Sequence, residues 1–267
     1  MTVAALYRYP VKSLGGQLCS SLSPAVRGFV DDRRWMFVDA SGRFISQRSN
    51  VQLSTFAAEV SQDELRFTRV SDGAVVGAVA GARQGVERAE VVVWDDQFTA
   101  TVIDSPHLYD ITRTLGIPDA RLVYMDAPDV RPVDPRYAAP ADEVSFADGF
   151  PYLITNTASL DDLRQRLGYD TLDVLRFRPN IVVDTPTPWA EDDWKTLRIG
   201  NHAFTTPKPC ARCIMITHEP GTEERDLRVL GELARFRKVE NKVLFGMNGL
   251  WRGGQGTVRV GDKVELA

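Results

Sequence analysis

Apolar and polar residues alternate through most of the first hundred positions, which is the period of strands with one buried face. "WMFVDASGRFISQ" places apolar arms around Ala40-Ser41-Gly42 and predicts a hairpin. "LRFTRVSDGAVVGAV" repeats the pattern around Ser71-Asp72-Gly73, and "AEVVVWDDQFTATVI" repeats it around Asp95-Asp96. Several short strands at this spacing predict a barrel or sandwich.

The period then changes to that of a helix. Ser105 is placed to cap, Pro106 suits a first helical position, and Leu108, Ile111 and Leu115 share a face that Gly116 ends. A proline-rich stretch follows, "APDVRPVDPRYAAPADE", and it predicts the boundary between two subdomains, 1–127 and 128–267. In "NTASLDDLRQRLGY" Leu160, Leu163 and Leu167 form a second helical stripe, with Ser159 and Asp162 spaced as a capping box and Gly168 as the stop. "RFRPNIVVD" reads as a strand, and "GTVRVGDKVEL" as two strands about a Gly-Asp turn. The fold class predicted is mostly β with a few helices (α+β), with no internal repeat.

Composition changes this picture little. The 267 residues are 43% hydrophobic and 25% charged, with a net charge of −4, an ordinary composition for a chain that buries a sizeable core. Mild acidity argues against broad binding to nucleic acid or anionic membrane, which needs clustered basic charge. No apolar run approaches the roughly 20 residues of a bilayer span. The N-terminus "MTVAALYRYPVKS" lacks the charged and apolar regions of a signal peptide. Three cysteines are too few for a disulfide scaffold, so a reducing cytoplasm is the expected location. Of 32 basic residues only six are lysine; arginine in excess suits bidentate recognition of phosphate, although it also reflects genomic bias.

The candidate chemistry lies in "TPKPCARCIMITHEPGT", which holds Cys210 and Cys213 two residues apart. A redox disulfide wants a helix after the motif, whereas "IMITHEPGT" is β-branched and then broken by Pro220 and Gly221. A zinc site needs four ligands; His202, Cys210, Cys213 and His218 supply them only at irregular spacing. Two buried thiols acting as small hydrophobes remain the plain reading. Elsewhere, "PVKS" alone reads as a solvated strand end, and "FADGFP" as a polar turn that starts a strand. "WAEDDW" reads as a structural loop that packs its indoles, because nothing fixes two carboxylates across a site.

The order of "YRYPVKSLGG", "DRRWMFVD", "FADGFPYLITNTASLDDL", "RFRPNIVVD", "WAEDDWKTLRIG" and "PCARCIMITHEPGT" resembles the MOSC family, in the branch with an N-terminal MOSC β-barrel domain that includes amidoxime-reducing proteins. The likeness runs from about Leu6 to Leu266. It implies an N-terminal barrel-like subdomain, a C-terminal MOSC β-barrel with peripheral helices, and a molybdenum–molybdopterin cofactor between them. Cys213 takes the family's place for the thiolate on the metal, with Arg212 adding positive charge, while Cys210 has no ligand role. Lys12 and Ser13 match the N-terminal cofactor contacts. Arg33 matches a further basic contact, with Arg34 as the competing choice. Arg178 is a third basic group, and Asn180 positions its loop. With such a cofactor, Asp148 and Gly149 of the polar turn are the candidates to offer the pterin a carboxylate and a close backbone approach.

The activity that the resemblance implies is two-electron reduction of N-hydroxylated small molecules: amidoximes, hydroxylamines or N-hydroxylated bases. His218 is the one weak candidate for a general acid. No cysteine follows Cys213, so no cluster-bearing domain is expected after the MOSC strands. Nor is there a Gly-rich dinucleotide fingerprint. Electrons are therefore expected from a separate ferredoxin, flavoprotein or haem protein. The other function class left open is a cofactor or sulfur carrier that uses a Cys213 persulfide.

Overall fold

A computed structural model describes residues 1–267 as two barrels with three α-helices around them. The fold is mostly β, as the alternation predicts. In the first half the strands Arg88–Val93, Asp96–Val102, Arg121–Tyr124 and Trp35–Val38 form one antiparallel sheet in that order. Residues 42–44 close it. Phe44 bridges Val38 on one side, while Arg43 bridges Val92 on the other. The result is a small barrel around Met36, Val91, Ala100, Val123 and Phe146. The predicted hairpin at Ala40–Gly42 is thus real but short, because its second arm is spent on closing the barrel. A separate three-stranded sheet, Phe56–Ser61, Glu64–Arg69 and Val75–Ala80, packs with the helix Leu108–Thr114 on Trp35, Phe37 and Phe67.

The second barrel is larger. Its nine-stranded sheet includes, in spatial order, Thr2–Arg8, Ile181–Asp184, Tyr152–Asn156, Lys242–Trp251, His202–Arg212, Thr196–Ile199 and Val264–Leu266. Tyr152–Asn156 and Ile181–Asp184 run parallel. That geometry needs a crossover, and the helix Thr157–Leu167 provides it. A bridge from Thr2 to Lys263 joins the two ends of the sheet. The core inside is Leu6, Tyr152, Ile154, Trp194, Phe204 and their neighbours. The first strand of the chain therefore belongs to the barrel built mainly from the second half, which leaves Pro10–Gly16 to cross between the two.

The third hairpin turns at Trp94-Asp95, with Trp94 left-handed at φ 58°, and Asp96 already pairs with Val93. The first helix starts at Leu108, later than predicted, and Ser105 closes the turn before it, its Oγ accepting from His107 N at 3.4 Å and its carbonyl from Leu108 N at 3.1 Å. The second helix is capped by Asn156, whose side chain accepts from Ala158 N at 2.9 Å. Ser159 is instead buried, donating to Glu191 Oε2 at 2.7 Å and accepting from Trp189 N at 2.7 Å. An Asn side chain caps as well as Ser and sits one residue before the helix, which the Ser159 spacing obscured. Asn156 Nδ2 also donates to Thr187 O and to the buried Glu191 Oε2, both at 2.9 Å, so we expect Asn156→Ala to lower stability by more than the about 1 kcal/mol of a cap alone. Chemical denaturation reads the change, and a variant as stable as the parent would remove the cap from the account.

"WAEDDW" packs its indoles as expected, with Trp194 1% exposed. The two C-terminal strands pair with Ser21–Leu22 and Thr196–Ile199 rather than with each other. The proline-rich stretch is no free linker: Arg131 within it is 2% exposed and bonds the carbonyls of Ser145, Ala147 and Asp148. No helix is long and apolar enough to cross a membrane.

Candidate functional site

The cleft between the barrels gathers the sequence-predicted residues from five separate segments. Lys12, Ser13, Arg33, Asp148, Gly149, Arg178, Asn180, Arg212 and Cys213 all line it.

The N-terminal side is set by the crossing segment. Lys12 N donates to Trp35 O at 2.8 Å, which turns the chain away from its strand. Ser13 follows in the left-handed region at φ 70°. The Lys12 side chain is 6% exposed, and its Nζ donates to Phe146 O at 2.8 Å and Asp148 Oδ1 at 2.6 Å. Burial outweighs the carboxylate and pushes Lys12 down to about 8. Burial alone would raise the Asp148 carboxyl, but Lys12, Arg48 and Arg33 hold it well below the usual range. Its side chain is 61% exposed, so solvent screens much of this pairing.

Arg33 and Arg178 form the floor. Both are left-handed, at φ 50° and 56°, and both guanidiniums stack 4.4 Å from the Tyr9 ring. Arg33 is aimed by buried partners: Nη1 donates to Asp32 Oδ2 and, at 2.9 Å, to Asn180 Oδ1. Asn180 Oδ1 also accepts from Leu153 N, so Asn180 acts through Arg33 and the strand start. Arg34 instead donates to Met125 O and lies over Tyr124, away from the cleft. Burial, with the neighbouring Arg33, pushes Arg178 down to about 10, and it stays charged at neutral pH. A Cβ built on Gly149 would meet nothing within 4 Å, so no contact within the chain demands glycine there.

The thiol side departs from expectation in two ways. Ile214–Thr217 forms a single 3₁₀ turn immediately after Cys213, where the β-branched run argued against any helix. Arg212 also does not face Cys213: its Nη1 donates to Cys210 Sγ at 2.9 Å and its Nη2 to Phe177 O at 2.8 Å. In an extended segment neighbouring side chains point to opposite faces, so adjacency in sequence did not place the guanidinium beside the thiol. The charge next to Cys213 comes from Arg48, whose Nη2 lies 3.4 Å from Sγ and 3.4 Å from Asp148 Oδ2, with its guanidinium 4.4 Å from the Trp94 ring. Arg48 and the second-row Arg131 escaped the sequence reading because both sit in segments that looked like turn or linker.

Cys213 is exposed, whereas Cys210 is half-buried. The other proposed zinc ligands do not join them. His202 accepts from the Trp251 indole at 3.2 Å, and His218 lines a different cavity. No group of three or more His, Cys, Asp or Glu side chains converges anywhere.

The cleft thus presents five cations, Lys12, Arg33, Arg48, Arg178 and Arg212, against the single carboxylate of Asp148. That is an anion site with one soft donor at its edge, and the donor set fits a phosphate-bearing, thiolate-seeking metal cofactor. The Arg212 Nε–H, buried and without a partner in the chain, is a further donor at the same wall.

Two barrels that share an anion cleft define a two-barrel class of β protein, and sequence comparison says which. Residues 1–107 match the MOSC N-terminal beta barrel domain and residues 141–265 the MOSC domain, so the chain belongs to the MOSC family. It is 29% identical to human mitochondrial amidoxime-reducing component 1, over 99% of this chain and 82% of that protein. The mouse protein of the same name is 27% identical over the same shares. Molybdenum cofactor sulfurase of Arabidopsis thaliana is 25% identical over 89% of this chain, which spans only 31% of that relative.

Proposed function

We propose that the protein is a molybdenum-cofactor-dependent oxidoreductase that reduces N-hydroxylated compounds. The observation that carries this reading is the exposed Cys213 thiol at the edge of a cleft whose lining is five cations and one carboxylate. When bound, the molybdenum–molybdopterin cofactor supplies the two-electron chemistry that breaks an N–O bond.

The chain's own residues bind and orient. Cys213 gives the metal a thiolate. Lys12, Ser13, Arg33, Arg178 and Arg212 hold the anionic phosphate and pterin oxygens, with Asp32 and Asn180 fixing the direction of Arg33. Asp148 and Gly149 would contact the pterin, and Arg131 pins the backbone that carries them. Arg48 places a guanidinium beside the thiol, as the charge partner of the thiolate. The chain's three cysteines cannot supply four thiolates to an iron–sulfur cluster, so electrons reach the site from another redox group, of the ferredoxin, flavin or haem kind. The chain spans 82% of the human relative, which is named for reducing amidoximes, but only 31% of the plant sulfurase, and this supports the reductase reading over the carrier.

Protein purified from a host that makes the cofactor should carry molybdenum and pterin in near-equal amounts. With reduced viologen it should convert benzamidoxime or a hydroxylaminopurine to the amine, and a nicotinamide cofactor alone should give no turnover. Zinc held through both cysteines would overturn the cofactor assignment. A loaded protein that reduces no N-hydroxylated compound, yet restores sulfur to a molybdenum enzyme through a persulfide, would establish the carrier instead. Cys210→Ala should retain substantial activity, at a stability cost of no more than about 1–3 kcal/mol.

A further inference from the structure

A second cavity, of ≈ 200 Å³, lies behind the cleft and shares Arg178 and Met215 with it. It opens between the three-stranded sheet of the first half and the segment 214–221. His218 lines it, 3% exposed, and neither ring nitrogen has a partner in the chain. Tyr9 and Arg176, also lining, each keep a buried polar atom unpartnered: the Tyr9 hydroxyl and Arg176 Nε. Buried polar groups are nearly always bonded, so several of them around one cavity mark a place where a ligand completes the bonding. Tyr9 is held there by Gly16, where a Cβ would come 2.5 Å from the ring.

The lining also states the ligand's charge. Arg69, Arg176 and Arg178 contribute three guanidiniums, and no Asp or Glu lines the cavity. Their carboxylate partners, Asp72 and Glu219, stand outside it. Of the four unpartnered atoms, Arg176 Nε–H and one nitrogen of the neutral imidazole donate, the other imidazole nitrogen accepts, and the Tyr9 hydroxyl can donate as well. Burial and the nearby Arg225 lower the His218 proton affinity and keep that ring neutral at pH 7. Met215, Leu175, Val70 and the Tyr9 ring give an apolar remainder.

We propose that this cavity is an accessory binding site for a small aromatic carboxylate, separate from the cofactor cleft and walled from it by Arg178 and Met215. Arg69 and Arg176 face the carboxylate, which also accepts from the His218 N–H, while Arg178 stays with the cofactor cleft and the apolar wall covers the ring. The inference does not depend on the redox reading.

The probe is benzoate, with benzamide as its neutral counterpart, titrated into cofactor-loaded protein with labelled histidine. The chain has three histidines, so the His218 ring is resolved from His107 and His202. Benzoate should shift the His218 ring signals saturably and leave the other two unmoved. Benzamide should bind at least about tenfold more weakly, the loss of one charge-assisted bond. Ala57→Leu, which fills the cavity from its sheet side, should abolish the shift with molybdenum content unchanged. Should that variant fail to fold, His218→Phe gives the same discrimination. It should weaken benzoate about tenfold, seen by calorimetry, without lowering the melting temperature, because it removes an unpartnered buried polar group. No movement of His218 overturns the proposal and leaves a water-filled void. Equal binding of benzamide overturns the anion assignment. Benzoate binding seen only in cofactor-free protein overturns the separateness, since the cavity would then be part of the cofactor's own site.

Discussion

With alanine in place of Cys213, viologen-driven reduction of benzamidoxime is expected to fall to background while the protein stays folded. The side chain is exposed and outside every hydrophobic cluster, so its removal should change stability by no more than about 0.5 kcal/mol. The loss would therefore report chemistry and not unfolding. The only other thiol lining the cleft, Cys210, is held by Arg212 and cannot replace it without moving the strand that carries both. X-ray absorption at the molybdenum edge should show one sulfur fewer in the first shell of whatever metal remains. A dead Cys210→Ala protein beside a fully active Cys213→Ala protein would reverse the assignment of the two thiols.

The second large effect is expected at Lys12. Lys12→Met should fold but retain little cofactor, because it deletes the one cation that is buried against both Phe146 O and the Asp148 carboxylate. Breaking a fully buried ion pair costs about 3–5 kcal/mol, but Asp148 is mostly exposed and keeps Arg48. A stability loss of about 1 kcal/mol is the discounted expectation. Cofactor affinity loses more, roughly 10- to 100-fold for one charged hydrogen bond to an anion.

The same residue sets a pH dependence. Free Lys12 titrates at about 8, and an anionic ligand favours its charged form. Below that pH binding needs no proton. Above it binding must take one up, so affinity falls by about tenfold per pH unit until the bound lysine itself loses its proton. Pterin fluorescence after gel filtration at about pH 7 and about pH 9.5 measures the retention. The stability of the cofactor-free protein moves the other way. Its folded value lies below the ordinary 10.5, so the unfolded chain binds more protons between about 8 and 10.5, and the Lys12 contribution to stability rises across that window. Retention that is flat with pH, or a Lys12→Met protein with full pterin, would remove Lys12 from the cofactor contacts.

Much was legible in the sequence by itself, for a local reason. Strand alternation, the Gly168 stop at φ 70° and the Leu160–Leu163–Leu167 stripe are properties of a few consecutive residues, and the chain realises them where they occur. The ordered motifs led to Lys12, Arg33, Arg178 and Cys213, and these do share one cleft. Arg33 and not Arg34 enters it, a choice that sequence left open and that Asp32, Asn180 and the left-handed backbone at Arg33 decide.

Long-range pairing decided the rest. Barrel closure depends on single bridges, Phe44 to Val38 with Arg43 to Val92, and Thr2 to Lys263. No local pattern encodes a partner that far away, and so the first strand could not be assigned to the second barrel. Arg48 stands beside Cys213 across a sequence separation of 165 residues, whereas Arg212, one residue away, turns to Cys210. Sequence spacing fixes which side chains share a strand face. Which charges meet across a cleft is set by how the two barrels pack, and for this protein that packing put a different arginine next to the thiol.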